Sequence, residues 1–115
     1  MAMTPAEAGE TYFSAWERGD FGTLRSVLAD DVTFAGPLGT AANADQCIEG
    51  LKRMSEIMTG LVVTKTFIDG PDVLTWFELH TARTGPIPVV NWRTVRDGKI
   101  TSIRVTFDPR ALTGA

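Results

Sequence analysis

The hydrophobic pattern of this 115-residue chain changes its period near the middle, and this change constrains the fold more than any other feature. Up to about residue 58, apolar residues recur at the three- and four-residue spacing of helices. From about residue 62 onward, apolar and polar residues alternate, as they do in strands that bury one face. Helices followed by a run of antiparallel strands predict an α+β domain in which one sheet covers the helices.

Local signals give the order of the elements. Thr4 followed by Pro5 is a typical helix start, because the hydroxyl caps the first turn and proline suits the first helical position. Gly19 ends this helix, and Asp20 caps a short second one. In chain order we predict helix 5–18, the short helix after Asp20, strand 32–35, helix 44–58, and strands 62–69, 73–83, 87–96 and 100–107.

Composition and charge exclude several classes of partner. The net charge is −3, from 14 acidic and 11 scattered basic residues, so we expect neither a nucleic-acid partner nor an anionic membrane surface. The one cysteine and one histidine, Cys47 and His80, supply neither an internal disulfide nor a structural zinc site, and we expect no metal and no cofactor. Apolar runs fall well short of the ~20 residues of a membrane span. We therefore expect a single cytoplasmic domain over residues 1–115.

Several stretches of this chain resemble a known family. They are residues 12–20 (YFSAWERGD), 28–34 (LADDVTF), 36–37 (GP), 97–100 (DGKI) and 107–109 (FDP). Together they resemble the SnoaL-like domains of the nuclear transport factor 2-like, or cystatin-like, superfamily, whose relatives include ketosteroid isomerase, limonene-epoxide hydrolase and polyketide cyclases. The resemblance implies a cone-shaped domain, with a curved antiparallel sheet wrapped around three N-terminal helices and a pocket at the open end. It also implies a homodimer formed through the outer face of the sheet.

The resemblance also indicates which chemistry this chain lacks. Tyr12 matches the tyrosine of the isomerase's oxyanion hole, and Asn91 falls at or near its late-strand acid. Gly36 stands where the isomerase has its general base, and glycine cannot take a proton. The positions of the hydrolase's Arg–Asp–Asp triad hold Glu78, His80 and Val105. We therefore expect neither mechanism in its standard form.

Two connections decide which strand residues face the pocket, and the first is the turn at residues 96–98. If these three residues form a bulged loop, Asn91 lies opposite Ile103 in the last strand. A two-residue turn instead places Arg104 beside Asn91 and sends the following apolar residues to the other face. We favour the bulged loop, since it turns the apolar residues of the last strand inward.

The second connection is the turn between residues 84 and 87. A tight turn there places His80 opposite Asn91 and Glu78 opposite Arg93. In that register one face mixes apolar walls with a few polar groups, as ligand pockets do: Trp76, Glu78, His80, Val89, Asn91, Arg93, Ile103, Val105 and Phe107. The other face carries an apolar strip that suits a homodimer interface: Phe77, Leu79, Val90 and Trp92.

Four polar residues are the candidate catalytic groups. Glu78 and His80 stand two apart on one strand, with roughly 6.6 Å between their Cα atoms, and a carboxylate beside an imidazole makes a general base near neutral pH. Tyr12 and Asn91 would hold a carbonyl oxygen of the substrate. The alternative is a polar edge at the pocket mouth, in which Glu78 pairs with Arg93 across the strands.

The sequence therefore predicts a protein with a pocket for a small hydrophobic ligand. Besides the catalytic candidates, the expected ligand-binding residues are Trp16, Phe34, Met54, Trp76, Arg93, Val105 and Phe107. Three hypotheses stay open, since this fold hosts unrelated activities. The chain is a cofactor-free acid–base enzyme (isomerase, cyclase or hydrolase) on a hydrophobic substrate, a non-catalytic binding protein for a hydrophobic metabolite, or a dimeric protein-interaction module.

Overall fold

A six-stranded sheet curves around the helices in the computed structural model, which describes residues 3–113. The elements in chain order are α1 (Pro5–Arg18), α2 (Phe21–Ser26), β1 (Leu28–Gly36), β2 (Gly39–Ala41), α3 (Ala44–Ser55), β3 (Met58–Asp69), β4 (Asp72–Thr81), β5 (Ile87–Arg96), β6 (Lys99–Thr106) and α4 (Arg110–Thr113). The predicted α+β class is confirmed. Two short elements, β2 and α4, were not predicted from the sequence.

The sheet has the strand order β2-β1-β6-β5-β4-β3. Neighbouring strands run antiparallel except β1 and β6, which are parallel. This pair joins the first half of the chain to the last strand, and the backbone N–H of Ile100 donates to the carbonyl of Val27 at 2.8 Å. The predicted antiparallel sheet is therefore correct for every pair but one.

The helix starts follow the sequence signals closely. Thr4 and Glu7 form a capping box, in which the Glu7 N–H donates to the Thr4 hydroxyl at 3.1 Å and the Thr4 N–H donates to the Glu7 carboxylate at 2.9 Å. Gly19 ends α1 in the left-handed conformation, with φ of 72°. Helix α3 ends at Ser55, three residues before its predicted end, because Met58 already pairs with Thr81 as part of β3.

Helix α1 lies on the concave face of the sheet and is tied to α3. The Trp16 indole N–H donates to the carbonyl of Leu51 at 3.0 Å. The rings of Phe13 and Phe77 meet edge to face, with centroids 5.0 Å apart. Among residues 3–113, no helix is long and apolar enough to cross a membrane, and the cytoplasmic location stays a prediction.

Strand β4 presents the opposite face from the one predicted. Asn91 lies opposite Thr75 rather than His80, which is a shift of five residues. The chain between the paired residues Leu79 and Ile87 is a wide loop, because the Thr81 hydroxyl accepts from the N–H groups of residues 83 and 84 at 3.2 and 3.1 Å. The tight turn is therefore wrong, and since the shift is odd it exchanges the two faces of the strand.

The turn between β5 and β6 is also shorter than predicted. Asp97 and Gly98 form a two-residue turn with positive φ at both positions, 51° and 76°, so the three-residue loop is wrong. A bulge then adds one residue to β6, between the pairs Thr94–Ser102 and Val95–Ile100. The extra residue restores the predicted face, so that Val105, rather than Ile103, lies opposite Asn91.

Candidate functional site

A cavity of about 330 Å³ lies between the concave face of the sheet and helices α1 and α3. Its walls are mostly apolar and come from α1, β1, α3, β4, β5, β6 and the residue after β6: Trp16, Phe34, Leu51, Met54, Phe77, Leu79, Val89, Val105 and Phe107. Exposed residues at the mouth include Pro37, Leu38, Gln46 and Arg53. The cavity is therefore open at one end and closed at the other by the core.

Two polar side chains, Tyr12 from α1 and Asn91 from β5, lie in the fully buried part of the lining. Burial raises the pKa of the Tyr12 phenol well above its ordinary value, and the nearby Cys47 thiol adds to this. The Arg93 charge and a hydrogen bond with Asn91 offset only part of the effect on that pKa. Tyr12 therefore stays protonated at neutral pH, and its hydroxyl is a hydrogen-bond donor.

Arg93 fixes the orientation of the Asn91 amide. Its Nη1 donates to Asn91 Oδ1 at 2.8 Å, and its Nη2 donates to the Thr75 hydroxyl at 2.8 Å. A guanidinium can only donate, so it takes the amide's one acceptor and leaves the amide N–H groups as donors. Tyr12 and Asn91 together therefore present donors to the cavity.

The Arg93 guanidinium is enclosed by the protein behind these two residues. Arg93 is 1% exposed, and its guanidinium carbon lies 4.8 Å from the centroid of the Phe13 ring and 5.7 Å from that of Tyr12. Helix α1 passes so closely that a Cβ at Gly9 would lie 3.1 Å from Nη2. Burial lowers the pKa of Arg93 to about 10, so the side chain still carries its charge at neutral pH.

Most of the predicted site residues line this cavity. Tyr12 and Asn91 do so, together with five of the predicted ligand-binding residues: Trp16, Phe34, Met54, Val105 and Phe107. Arg93 lies behind the lining and reaches it through Asn91. The roles of these residues in binding or catalysis stay predictions, and their position around one cavity is what the structure shows.

The other predicted residues lie on the outer face of the sheet, because β4 turns the opposite face from the predicted one toward the cavity. They are Glu78, His80 and Trp76. Their side chains do not line the cavity; Glu78 and His80 are 45% and 36% exposed, with His80 Nε2 3.5 Å from Glu78 Oε1, and Trp76 is 50% exposed. The expected proximity of Glu78 and His80 is correct, but their place in the pocket is wrong. The alternative pairing of Glu78 with Arg93 is wrong too, since Arg93 lies on the concave face opposite Val73.

Within residues 3–113, the cavity lining contains no aspartate, glutamate or histidine. The described residues also hold no group of three side chains that could bind a metal ion. Cys47 also lines the cavity, and burial raises the pKa of its thiol to about 11. Cys47 lies four residues before Leu51 and seven before Met54, so all three share one face of α3. This helical spacing is the sequence signal that could have placed Cys47 in the cavity lining.

The outer face of the sheet carries a band of large apolar side chains that are not covered by this chain. It consists of Phe67, Leu74, Trp76, Val90 and Trp92, which we call the outer band. Val90 and Trp92 lie on the outer face, as predicted. Phe77 and Leu79 were predicted on that face too, but they are buried in the core because the two faces of β4 are exchanged. Arg104 lies over the Trp92 ring, with its guanidinium carbon 4.4 Å from the centroid.

Comparison with known families gives one match over most of the chain. A family model described as the SnoaL-like domain matches residues 10–103. Among curated proteins, none matches this chain. The resemblance predicted from the sequence motifs is therefore confirmed at the level of the family.

Solved structures share the fold over nearly its whole length. A crystal structure of a protein from Kribbella flavida DSM 17836 has a TM-score of 0.88 at 27% identity, over 93% of this chain and 88% of that one. An NTF2-like protein of unknown function from Cytophaga hutchinsonii ATCC 33406 has a TM-score of 0.87 at 25% identity, over 97% and 96% of the two chains. An LEH-like epoxide hydrolase from M. tuberculosis, at 23% identity, shares the fold with a TM-score of 0.79, over 96% and 86%.

Proposed function

Because this chain belongs to the SnoaL-like domain family, within the nuclear transport factor 2-like fold, we propose that it is a binding protein for a small hydrophobic metabolite. The observation that carries the proposal is the cavity of about 330 Å³, with apolar walls and with Tyr12 and Asn91 in its buried part. Pockets of this size, with few polar groups on apolar walls, are typical of sites for small organic ligands.

The two donors support one orientation of the ligand. An oxygen atom of the ligand accepts hydrogen bonds from the Tyr12 hydroxyl and the Asn91 amide, while its apolar part lies against Trp16 and the strand residues. Buried donors left without an acceptor cost about 1–3 kcal/mol each. A ligand that supplies this acceptor therefore binds more tightly than a pure hydrocarbon of the same size.

The enzyme hypothesis retains the donors but loses its base. Tyr12 and Asn91 could stabilise negative charge on a carbonyl oxygen, but the Glu78–His80 pair lies on the other face of the sheet. The described cavity lining offers no carboxylate or imidazole in their place. We therefore favour binding, and turnover of a bound carbonyl compound is the result that would favour the enzyme.

Calorimetric titration with 2-acetylnaphthalene, a neutral aryl ketone, tests the proposal. We expect saturable binding with one molecule per chain, and a loss of at least tenfold in affinity for Gly50→Leu. Gly50 lines the cavity, and a Cβ there meets no atom within 4 Å, so a larger side chain fills ligand space without a clash. Gly50→Ala is the matched control, because it changes the same position with little added volume.

Two results would contradict the proposal. One is the absence of saturable binding for this ketone and for a panel of aryl ketones and lactones. The other is binding that Gly50→Leu leaves unchanged, since the ligand would then lie outside the cavity. Mass spectrometry of the ketone recovered from the titration separates binding from turnover.

We also propose that the outer band pairs two copies of the chain. The band exposes large apolar side chains, and Glu78 and Arg104 lie on the same face. A two-fold axis brings one surface against itself, so a face with both charges can pair acid with base across the axis. Such a dimer would cover the band, and the interaction-module hypothesis would then lose its free surface.

Sedimentation equilibrium tests the dimer. The native chain is expected to sediment as a dimer, and Trp76→Glu as a monomer, because the substitution places two like charges near the axis. Leu38→Glu is the control, since Leu38 is similarly exposed but lies at the cavity mouth. A native chain that is monomeric at micromolar concentration would contradict the proposal.

A further inference from the structure

We propose that the cavity selects an anionic ligand, namely an apolar molecule that ends in a carboxylate, and that Arg93 supplies the charge that makes this selection. The inference rests on the proposed function, because it names the chemical class of the molecule bound in the same cavity. Three observations carry it: the burial of Arg93, the way in which Arg93 is connected to the cavity, and the charges of the lining residues.

The first observation is that Arg93 is buried without a counterion. The side chain is 1% exposed, and among residues 3–113 no carboxylate lies within 4 Å of its guanidinium nitrogens. Its Nε has no hydrogen-bond partner, and its remaining contacts are neutral groups and aromatic rings. A buried charge is normally paired, because removing it from water is costly. A negative ligand group close by would reduce that cost.

The second observation is that Arg93 is joined to the cavity through Asn91. Its hydrogen bond to Asn91 Oδ1 polarises the amide and turns the N–H groups toward Tyr12 and the cavity. The buried end of the cavity therefore presents donors that are backed by a positive charge. A carboxylate only accepts hydrogen bonds, and charged bonds of this kind are roughly twice as strong as neutral ones.

The third observation concerns the rest of the lining. Arg53, at the mouth, is the one lysine, arginine or acidic side chain in the described cavity lining. No negative side chain of the lining opposes an incoming anion, and the Arg53 charge attracts one. The two charged side chains on and directly behind the described lining, Arg53 and Arg93, are therefore both positive.

A structural role for Arg93 makes a different prediction. The guanidinium also links β5 to Thr75 on β4 and packs beneath α1 at Gly9. If that were its whole role, replacing it would change stability, and it would change the affinities for charged and neutral ligands by the same factor. The ratio of the two affinities therefore separates a residue that positions and charges the site from one that only supports the fold.

The experiment compares 2-naphthoate with 2-naphthamide, which have nearly the same shape and differ in charge. By calorimetry at pH 7 and low salt, we expect the native protein to bind the carboxylate at least tenfold more tightly. Arg93→Met should bring the two affinities to within about threefold, and Arg93→Lys should keep part of the preference because it keeps the charge. Arg18→Met is the control, since Arg18 is exposed at the end of α1 and lies outside the cavity lining, and it should leave the tenfold ratio unchanged.

The outcomes separate this inference from the function on which it rests. If naphthamide and 2-acetylnaphthalene bind as tightly as naphthoate, the inference is overturned and the binding function stands. A naphthoate preference that persists in Arg93→Met would overturn it in the same way. If none of the three probes binds, the proposed function fails and this inference with it. The comparison of probes on the native protein needs no variant, so it decides whether the cavity prefers the anion even if Arg93→Met does not fold, and Arg93→Lys then tests the source of the charge.

Discussion

A negative charge placed on the cavity wall should weaken the preference for the anionic ligand about tenfold, and Gly36 is the position for it. Gly36 lines the cavity at the end of β1, and a Cβ there would lie 3.3 Å from the Phe34 ring and 3.6 Å from Val105 Cβ. Aspartate at this position would therefore project among lining residues. Asparagine has nearly the same size and shape, so Gly36→Asn carries the same steric cost as Gly36→Asp without the charge.

The magnitude follows from the strand spacing. Gly36 belongs to β1, and β6 lies between β1 and β5, which carries Asn91. Two strand spacings are about 10 Å, and a ligand carboxylate at the Asn91 amide would lie about 8 Å from the new one. At an effective dielectric constant near 20, two like charges at that distance repel by about 2 kcal/mol, or about 30-fold in affinity. Solvent at the partly exposed strand end reduces this to about tenfold.

The assay is calorimetric titration of both variants with 2-naphthoate and 2-naphthamide. Gly36→Asp should weaken naphthoate binding about tenfold more than Gly36→Asn does, while naphthamide should bind the two variants alike. The difference should shrink at 0.5 M salt, because it is electrostatic. Equal losses for both variants with both ligands would refute the reasoning, since only the steric effect would then remain.

Three further predictions concern the fold and the corrected faces. Phe77→Ala should lower the free energy of unfolding in urea by about 3–4 kcal/mol, because Phe77 is 2% exposed and packs on Phe13; a loss below 1 kcal/mol would contradict its place in the core. Iodoacetamide at pH 8 should alkylate Cys47 about 100-fold more slowly than a free cysteine, because a pKa of about 11 leaves that much less thiolate than an ordinary value near 9, and the rate should keep rising up to pH 11. His80→Asn should leave naphthoate affinity within twofold of the native value, and a tenfold loss would restore His80 to the site.

The helical half of the fold could be predicted because its signals are local. Thr4, Pro5 and Gly19 each act on the backbone within one turn, and all three are found where the sequence places them. The strands were also predicted close to their positions, from alternation alone. Neither the parallel pairing of β1 with β6 nor the short β2 was predicted, because strand neighbours depend on contacts between distant parts of the chain.

The candidate site was predicted in part. Which residues were placed correctly and which were not depends on the connections between strands. Val105 and Phe107 face the cavity as expected, because the two errors together shift the register by two residues. The shorter turn moves it by one and the bulge in β6 by one more, and an even shift keeps the same face inward. The connection between β4 and β5 contains no such compensation. Its length depends on the Thr81 hydroxyl, which accepts hydrogen bonds from the N–H groups of the loop. The alternation of apolar and polar residues contains no information about such a contact.

The face that β4 turns toward the cavity differs from the predicted one, and this difference changes the chemistry expected of the cavity. In the predicted register, Glu78 and His80 supply a base in the cavity or, in the alternative, Glu78 pairs with Arg93. In the observed one, the residues facing inward are Thr75, Phe77 and Leu79, which offer a hydroxyl and two apolar side chains. Arg93 then donates to the Thr75 hydroxyl at 2.8 Å. In the predicted register, the Glu78 carboxylate would lie opposite Arg93 instead. The same shift that removes the base therefore leaves the buried charge without a counterion. The described lining without a carboxylate or imidazole, together with the buried charge behind it, supports the proposal that the cavity holds an anion.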